Sequence, residues 1–135
     1  MLGIIEVMVI NLQRRLRLLL GLVKTIEPVQ LFDLSNLIFI TEHEGLTRLG
    51  YDDWYPVNNV GVISPVLEID VARLIYHGLI HANNDMLLTT NIGRRFAETV
   101  KLPQKIIALG PKGWRTLALG YVKTSILKLK SYTSG

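Results

Sequence analysis

Few side chains in this sequence have the types and spacing that chemistry requires. The most suggestive are the arginines and amides around residues 70–95: Arg73, Tyr76 and His77 near the end of one apolar-periodic segment, Asn83 and Asn84 in the gap after it, then Arg94 and Arg95. Arginine, amide and tyrosine groups in this order suit contacts to phosphates and base edges. A second basic group, Arg14, Arg15 and Arg17, sits within an otherwise apolar run. It reads as a solvated face or as a phosphate patch. His77 and His81 are four apart, but Gly78 between them breaks the helix that an HxxxH metal pair needs, and there is no cysteine to complete a ligand set. Asp52-Asp53, just before Trp54, reads as a turn former rather than a catalytic carboxylate pair. Trp54, Tyr51 and Tyr55 suit either base stacking or the core. No nucleophile–base arrangement and no glycine-rich phosphate loop occurs, so neither an enzymatic activity nor a metal or other cofactor is expected.

The elements that must position these residues can be read from periodicity and punctuation. Ser64 is a good N-cap and Pro65 suits a first helical turn. Leu67, Val71, Leu74 and Ile75 then form one apolar helical face, which Gly78 ends. That places Glu68, Asp70, Arg73, Tyr76 and His77 outward. Two short apolar runs, Leu79–Ala82 and Met86–Thr89, flank Asn83-Asn84-Asp85, whose residues tolerate the left-handed backbone of a tight hairpin. Thr89 or Thr90 can cap a further helix through Arg94 and Arg95.

Helix, hairpin and helix in one run is the plan of a winged helix-turn-helix, and the motifs carry a resemblance. Gly78-Leu79-Ile80 followed by Leu88-Thr89-Thr90-Asn91-Ile92-Gly93-Arg94-Arg95-Phe96-Ala97-Glu98 resembles the "GLI … LTxxGRxxAE" phrase of many winged-helix regulators. Gly61-Val62-Ile63-Ser64-Pro65 is similar to the "YGPYSP" segment of the SocA-like antitoxin (Panacea) group. The resemblance covers roughly residues 28–98. It implies that the helix from Ser64 enters the major groove of double-stranded DNA while the hairpin lies near the minor groove or backbone.

Elsewhere the pattern is helical. Residues 4–25 read as one long helix, with Ile5, Val9, Leu12, Leu16, Leu19 and Val23 spaced as a heptad seam. The seam packs either inside its own domain or against a second subunit, since dimeric winged-helix proteins use terminal helices in this way. Glu27-Pro28 marks a boundary. A second helix over 29–44 ends at Gly45, with a further turn of helix at Leu46–Leu49. Tyr51–Pro56 then reads as a turn, and Val57–Ile63 as a loop or short edge strand. Beyond Leu102-Pro103, a short helix over 103–109 stops at Gly110-Pro111. A final helix over 112–130 carries Trp114, Leu117, Ala118 and Tyr121 at helical spacing, and Trp114 and Tyr121 join the candidate dimer contacts.

The 135 residues thus form a single, mainly α domain with a small β-hairpin: N-terminal helix (1–26), winged core (28–98) and C-terminal helical extension (103–130). Apolar residues make up 49% of the chain and mean hydropathy is +0.31, so apolar surface is expected to be left over for an interface. No stretch is long and uncharged enough for a membrane span, and a cytoplasmic protein is expected. Net charge is +4, unevenly placed: both ends are basic, while residues 25–93 hold nine acids against Arg48 and Arg73. Phosphate neutralisation dominates affinity for DNA, so two readings stand. One is a dimeric DNA-binding transcriptional regulator. The other is an antitoxin-like or adaptor module that binds a protein instead.

Overall fold

The computed structural model describes residues 13–133. In chain order it contains α1 (Arg14–Ile26), β1 (Val29–Gln30), α2 (Leu31–His43), β2 (Tyr55–Val57), β3 (Gly61–Ile63), α3 (Pro65–Tyr76), β4 (Ile80–Asn83), β5 (Met86–Thr89), α4 (Asn91–Phe96) and α5 (Gln104–Thr133). The strands form a three-stranded antiparallel sheet in the order β1-β5-β4 and a separate β2–β3 hairpin. The architecture is therefore mainly helical with small β elements.

The punctuation read from the sequence acts where expected around α3. The Ser64 hydroxyl accepts the Leu67 amide at 3.1 Å, closing the first turn behind Pro65. Asp53, read as a turn residue, is in fact a second cap: its carboxylate accepts from the Ser64 hydroxyl and from the Val66 amide. Gly78 ends α3 with a positive φ of 74°. Between β4 and β5, Asn84 and Asp85 both have positive φ, 52° and 66°, as a two-residue type I′ turn requires. Thr90, not Thr89, caps α4: its hydroxyl accepts from the Gly93 amide at 3.0 Å and donates to the Gly78 carbonyl at 2.7 Å.

Other expectations are corrected. No helix forms between His43 and Pro65, so the helix expected at Leu46–Leu49 is absent. The Glu42 carboxylate draws the Leu49 and Gly50 amides to 2.9 and 3.0 Å, satisfying them outside any helix. Of the loop or short edge strand read at Val57–Ile63, the strand is present at Gly61–Ile63, and the segment read as a turn before it supplies its partner in the β2–β3 hairpin, with Tyr55 opposite Ile63. Buried Asn36 and Ser35 on α2 fasten that hairpin, because the Asn36 amide oxygen accepts from Val62 N and the Ser35 hydroxyl donates to Val62 O, both at 2.9 Å. Strand β1, with Val29 opposite Leu87, was not foreseen, because two residues carry no periodicity. The break expected at Gly110-Pro111 is present, since Gly110 has a φ of 68°, which is not helical, and α5 is two helical segments meeting there at a kink. The buried indole of Trp114 donates to Ile106 O at 2.7 Å across that break.

The core lies where α1, α2, α3 and the sheet meet, and α5 packs along α2 and β3. Leu19, Val23, Leu34, Leu37, Ile38, Leu67, Leu74 and Leu79 have no measurable exposure. Each contributes roughly 1.5–3 kcal/mol of burial. Leu16, Leu19 and Val23 are thereby consumed inside the chain, and so is Trp114. Of the two readings of the seam, core packing holds for these residues, and the dimer contact expected of them is corrected. Tyr121 is also engaged internally, stacked on His43 at 4.0 Å with its hydroxyl donating to Glu44. Ile5, Val9 and Leu12 lie outside the described residues.

Candidate functional site

The surface that matters is set by the two faces of α3. Leu67, Asp70, Val71 and Leu74 face inward. Asp70 was expected outside and is instead 1% exposed. It occupies the core stripe because Arg15 neutralises it there, at 2.9 Å to one carboxylate oxygen and 3.3 Å to the other. The Tyr51 hydroxyl donates to the same carboxylate at 2.7 Å, and the Arg15 guanidinium lies 5.1 Å from the Tyr51 ring centre. Burial, then the hydrogen bond to Asp70, pushes the Tyr51 phenol far above its ordinary pKa. The phenol stays protonated and remains a donor at every physiological pH. Arg15 is therefore a structural cation. Arg14 and Arg17 both approach Glu98, at 3.5 and 3.8 Å. Within the α1 cluster Arg15 is committed to Asp70, while Arg14, exposed, and Arg17, half-exposed, share the single Glu98 carboxylate.

The outward face of α3 carries Val66, Glu68, Ile69, Ala72, Arg73, Ile75 and Tyr76. Val66, Ile69 and Tyr76 recur at i, i+3 and i+10, so they line one side of the helix. Ile69 is 54% exposed and Tyr76 is 86% exposed, its ring edge-on to His77 at 5.2 Å. Ile75, placed in the core stripe by periodicity, is 38% exposed. It lines a cavity of about 420 Å³ between α3 and the sheet, together with Val71, Leu31, Phe32, Ala82 and Leu87. Beside that groove runs β4, an edge strand with His81, Ala82 and Asn83 exposed. The groove and the edge strand therefore adjoin on one flank of α3, and the Val66, Ile69 and Tyr76 side lies on its other flank.

The candidate DNA contacts fare unequally. Arg73, Tyr76, His77, Asn83, Asn84 and Arg95 are all exposed. Arg73 and Arg95 form no ion pair among the described residues. Arg94 is different, because its guanidinium holds Glu27 at 3.0 Å and reaches the Thr89 hydroxyl at 3.2 Å. The Thr89 amide and hydroxyl also donate to Glu27, at 2.8 and 2.7 Å. Burial alone would raise the Glu27 carboxyl, but these hydrogen bonds and the Arg94 charge hold it below its ordinary value. Arg94 thus ties the turn after α1 to the end of the hairpin, and the expectation that it supplies free charge to a ligand is corrected.

Sequence reasoning missed Val66, Ile69 and Ile75 as surface residues. The available signal was a count of apolar positions on α3, which exceeds what one stripe can bury. Among the described residues no helix is long and apolar enough to cross a membrane, and no group of three or more acidic or histidine side chains could hold a metal ion. No protein-family model, curated protein or solved structure matches the chain.

Proposed function

We propose that this chain is a winged-helix protein-interaction module that receives an apolar segment of a partner protein on α3, the adjoining groove and the edge of β4. The sheet order β1-β5-β4 behind α3, with a tight hairpin as the wing, supports the winged-helix reading. The observation that carries the interaction reading is the exposed apolar side of α3 formed by Val66, Ile69 and Tyr76, with Ile75 exposed over the groove on the other flank of the helix. Contiguous exposed apolar residues mark binding surfaces, and tyrosine is enriched among the residues that dominate interface energetics. The face has Arg73 as its single cation, and α3 also exposes Glu68. An antitoxin-like or adaptor role agrees with the similarity to the SocA-like group.

A duplex-DNA-binding regulator is the second reading, favoured by Arg73, Tyr76, Asn84 and Arg95 being exposed on α3, the wing and α4. It has less charge to work with. Arg94 is held by Glu27, and Glu68 and Asp85 stand exposed on α3 and the wing.

Two measurements separate the readings. The chain, immobilised and exposed to lysate of its own cells, is expected to retain a partner that Ile69→Asp and Tyr76→Ala both release while circular dichroism stays unchanged. Truncating an interface tyrosine at a hot spot costs on the order of 2 kcal/mol, roughly thirtyfold in affinity. Fluorescence anisotropy with a mixed-sequence duplex at low salt is expected to show no salt-dependent binding. Tight duplex binding that weakens steeply with salt and is lost in Arg73→Ala would replace the interaction reading with the DNA one.

A further inference from the structure

Away from the α3 face, three cations from three separate segments converge on one cavity: Arg14 at the start of α1, Arg48 in the loop after α2, and Lys101 after α4. The cavity holds about 320 Å³, within the roughly 300–1,000 Å³ typical of small-molecule sites. Its floor is apolar, formed by Leu18 and Leu22 of α1 with Val100, and Leu46 stands 40% exposed at its edge. No acidic side chain lines it.

The walls are fixed by specific contacts. Gly21 lets the chain after α4 lie directly on α1, since a β-carbon there would fall 1.9 Å from the Glu98 carbonyl oxygen. The Glu98 amide also donates to Arg17 O at 3.0 Å. The opposite wall is the loop whose Leu49 and Gly50 amides are held by Glu42, with Thr47 bonded to Thr41 at 2.9 Å. Arg14 shares its charge with Glu98 at 3.5 Å, whereas Arg48 and Lys101 have no ion-pair partner among the described residues.

The geometry points to a binding site for a small amphipathic anion: one acidic head on an apolar body. The head meets Arg48 and Lys101, with Arg14 alongside, and the body lies on Leu18, Leu22 and Val100. The volume corresponds to roughly ten waters of liquid, which suits a body of about eight carbons. Cationic groups around an apolar floor discriminate by sign: a matching neutral molecule gains only the floor, and a cation is repelled.

The test uses the full chain at low ionic strength, titrated with sodium octanoate, octyl phosphate, octanol and octylammonium chloride and followed by amide chemical shifts. Octanoate or octyl phosphate is expected to shift residues 14–22, 45–49 and 99–101, and the stronger of the two identifies the head group. Octanol is expected to bind about tenfold more weakly, and octylammonium not at all. Arg48→Gln with Lys101→Gln is expected to lower anion affinity about tenfold. Leu46→Asp, a change at a half-exposed position, is expected to weaken it further without unfolding the chain. Equal binding of octylammonium, shifts mapping elsewhere, or unchanged affinity in the double variant would overturn the assignment. These outcomes are independent of the α3 face, where Tyr76→Ala is expected to leave octanoate binding unchanged.

Discussion

Replacing Arg15 with methionine keeps the packing of its stem and removes the charge that sits against Asp70. The carboxylate, 1% exposed, then retains only the Tyr51 hydroxyl. Removing one partner of a buried ion pair typically costs about 3–5 kcal/mol. The Arg15 side chain is 31% exposed, so water already screens part of that interaction. The expectation is reduced accordingly to about 2–3 kcal/mol. Tyr51→Phe removes a hydrogen bond to a charged acceptor and is expected to cost about 2 kcal/mol. Because both groups act on one carboxylate, the double variant should depart from additivity by about 1 kcal/mol or more. Urea unfolding at neutral pH reads these values directly. A loss of 2–3 kcal/mol corresponds to a fall in melting temperature of roughly 6–12 °C for a chain of this size. The triple variant Arg15→Met, Asp70→Leu, Tyr51→Phe should recover most of the loss, since apolar replacement of a whole buried cluster is often neutral. Single variants within 0.5 kcal/mol of the parent, or strict additivity, would refute the view that Arg15 lets Asp70 occupy the core.

Two further expectations concern the hairpin. Glu27 has a folded pKa held below its ordinary 4.5, so its stabilisation is present above that value and is lost as pH falls through the lowered one. Glu27→Gln should therefore lose about 1–2 kcal/mol at neutral pH and show a flatter fall in stability between neutral and acid pH, measured by urea melts across that range. Gly93→Ala would place a β-carbon 2.0 Å from the Leu79 carbonyl oxygen. It should destabilise the chain by about 1–3 kcal/mol in the same assay, and a melting temperature equal to the parent's would show that α4 shifts freely against the strand.

Local features were legible in the sequence because their causes are local. A serine cap followed by proline, a glycine with positive φ after a helix, and an Asn-Asp turn between apolar runs each act through their own backbone. α3, the β4–β5 hairpin and α4 therefore stand close to where they were read. β1 and the pairing of β2 with the short strand at Gly61–Ile63 were not legible, since these strands of two and three residues depend on partners more than twenty residues away, Leu87 and the Asn36 amide.

What the sequence by itself determined was the helix–hairpin–helix order, the positions of its caps and turns, and an excess of apolar residues over what one core needs. Tertiary structure decided which charges remain available. Arg15 and Arg94 look like ligands for phosphate in a linear reading, yet Asp70 and Glu27, fifty-five and sixty-seven residues away, claim them. It also turned Ile69 and Ile75 outward while drawing Asp70 inward. The reason is physical: periodicity states which residues share a helix face, but only the fold brings up a neutralising partner that lets a carboxylate take the place of an isoleucine.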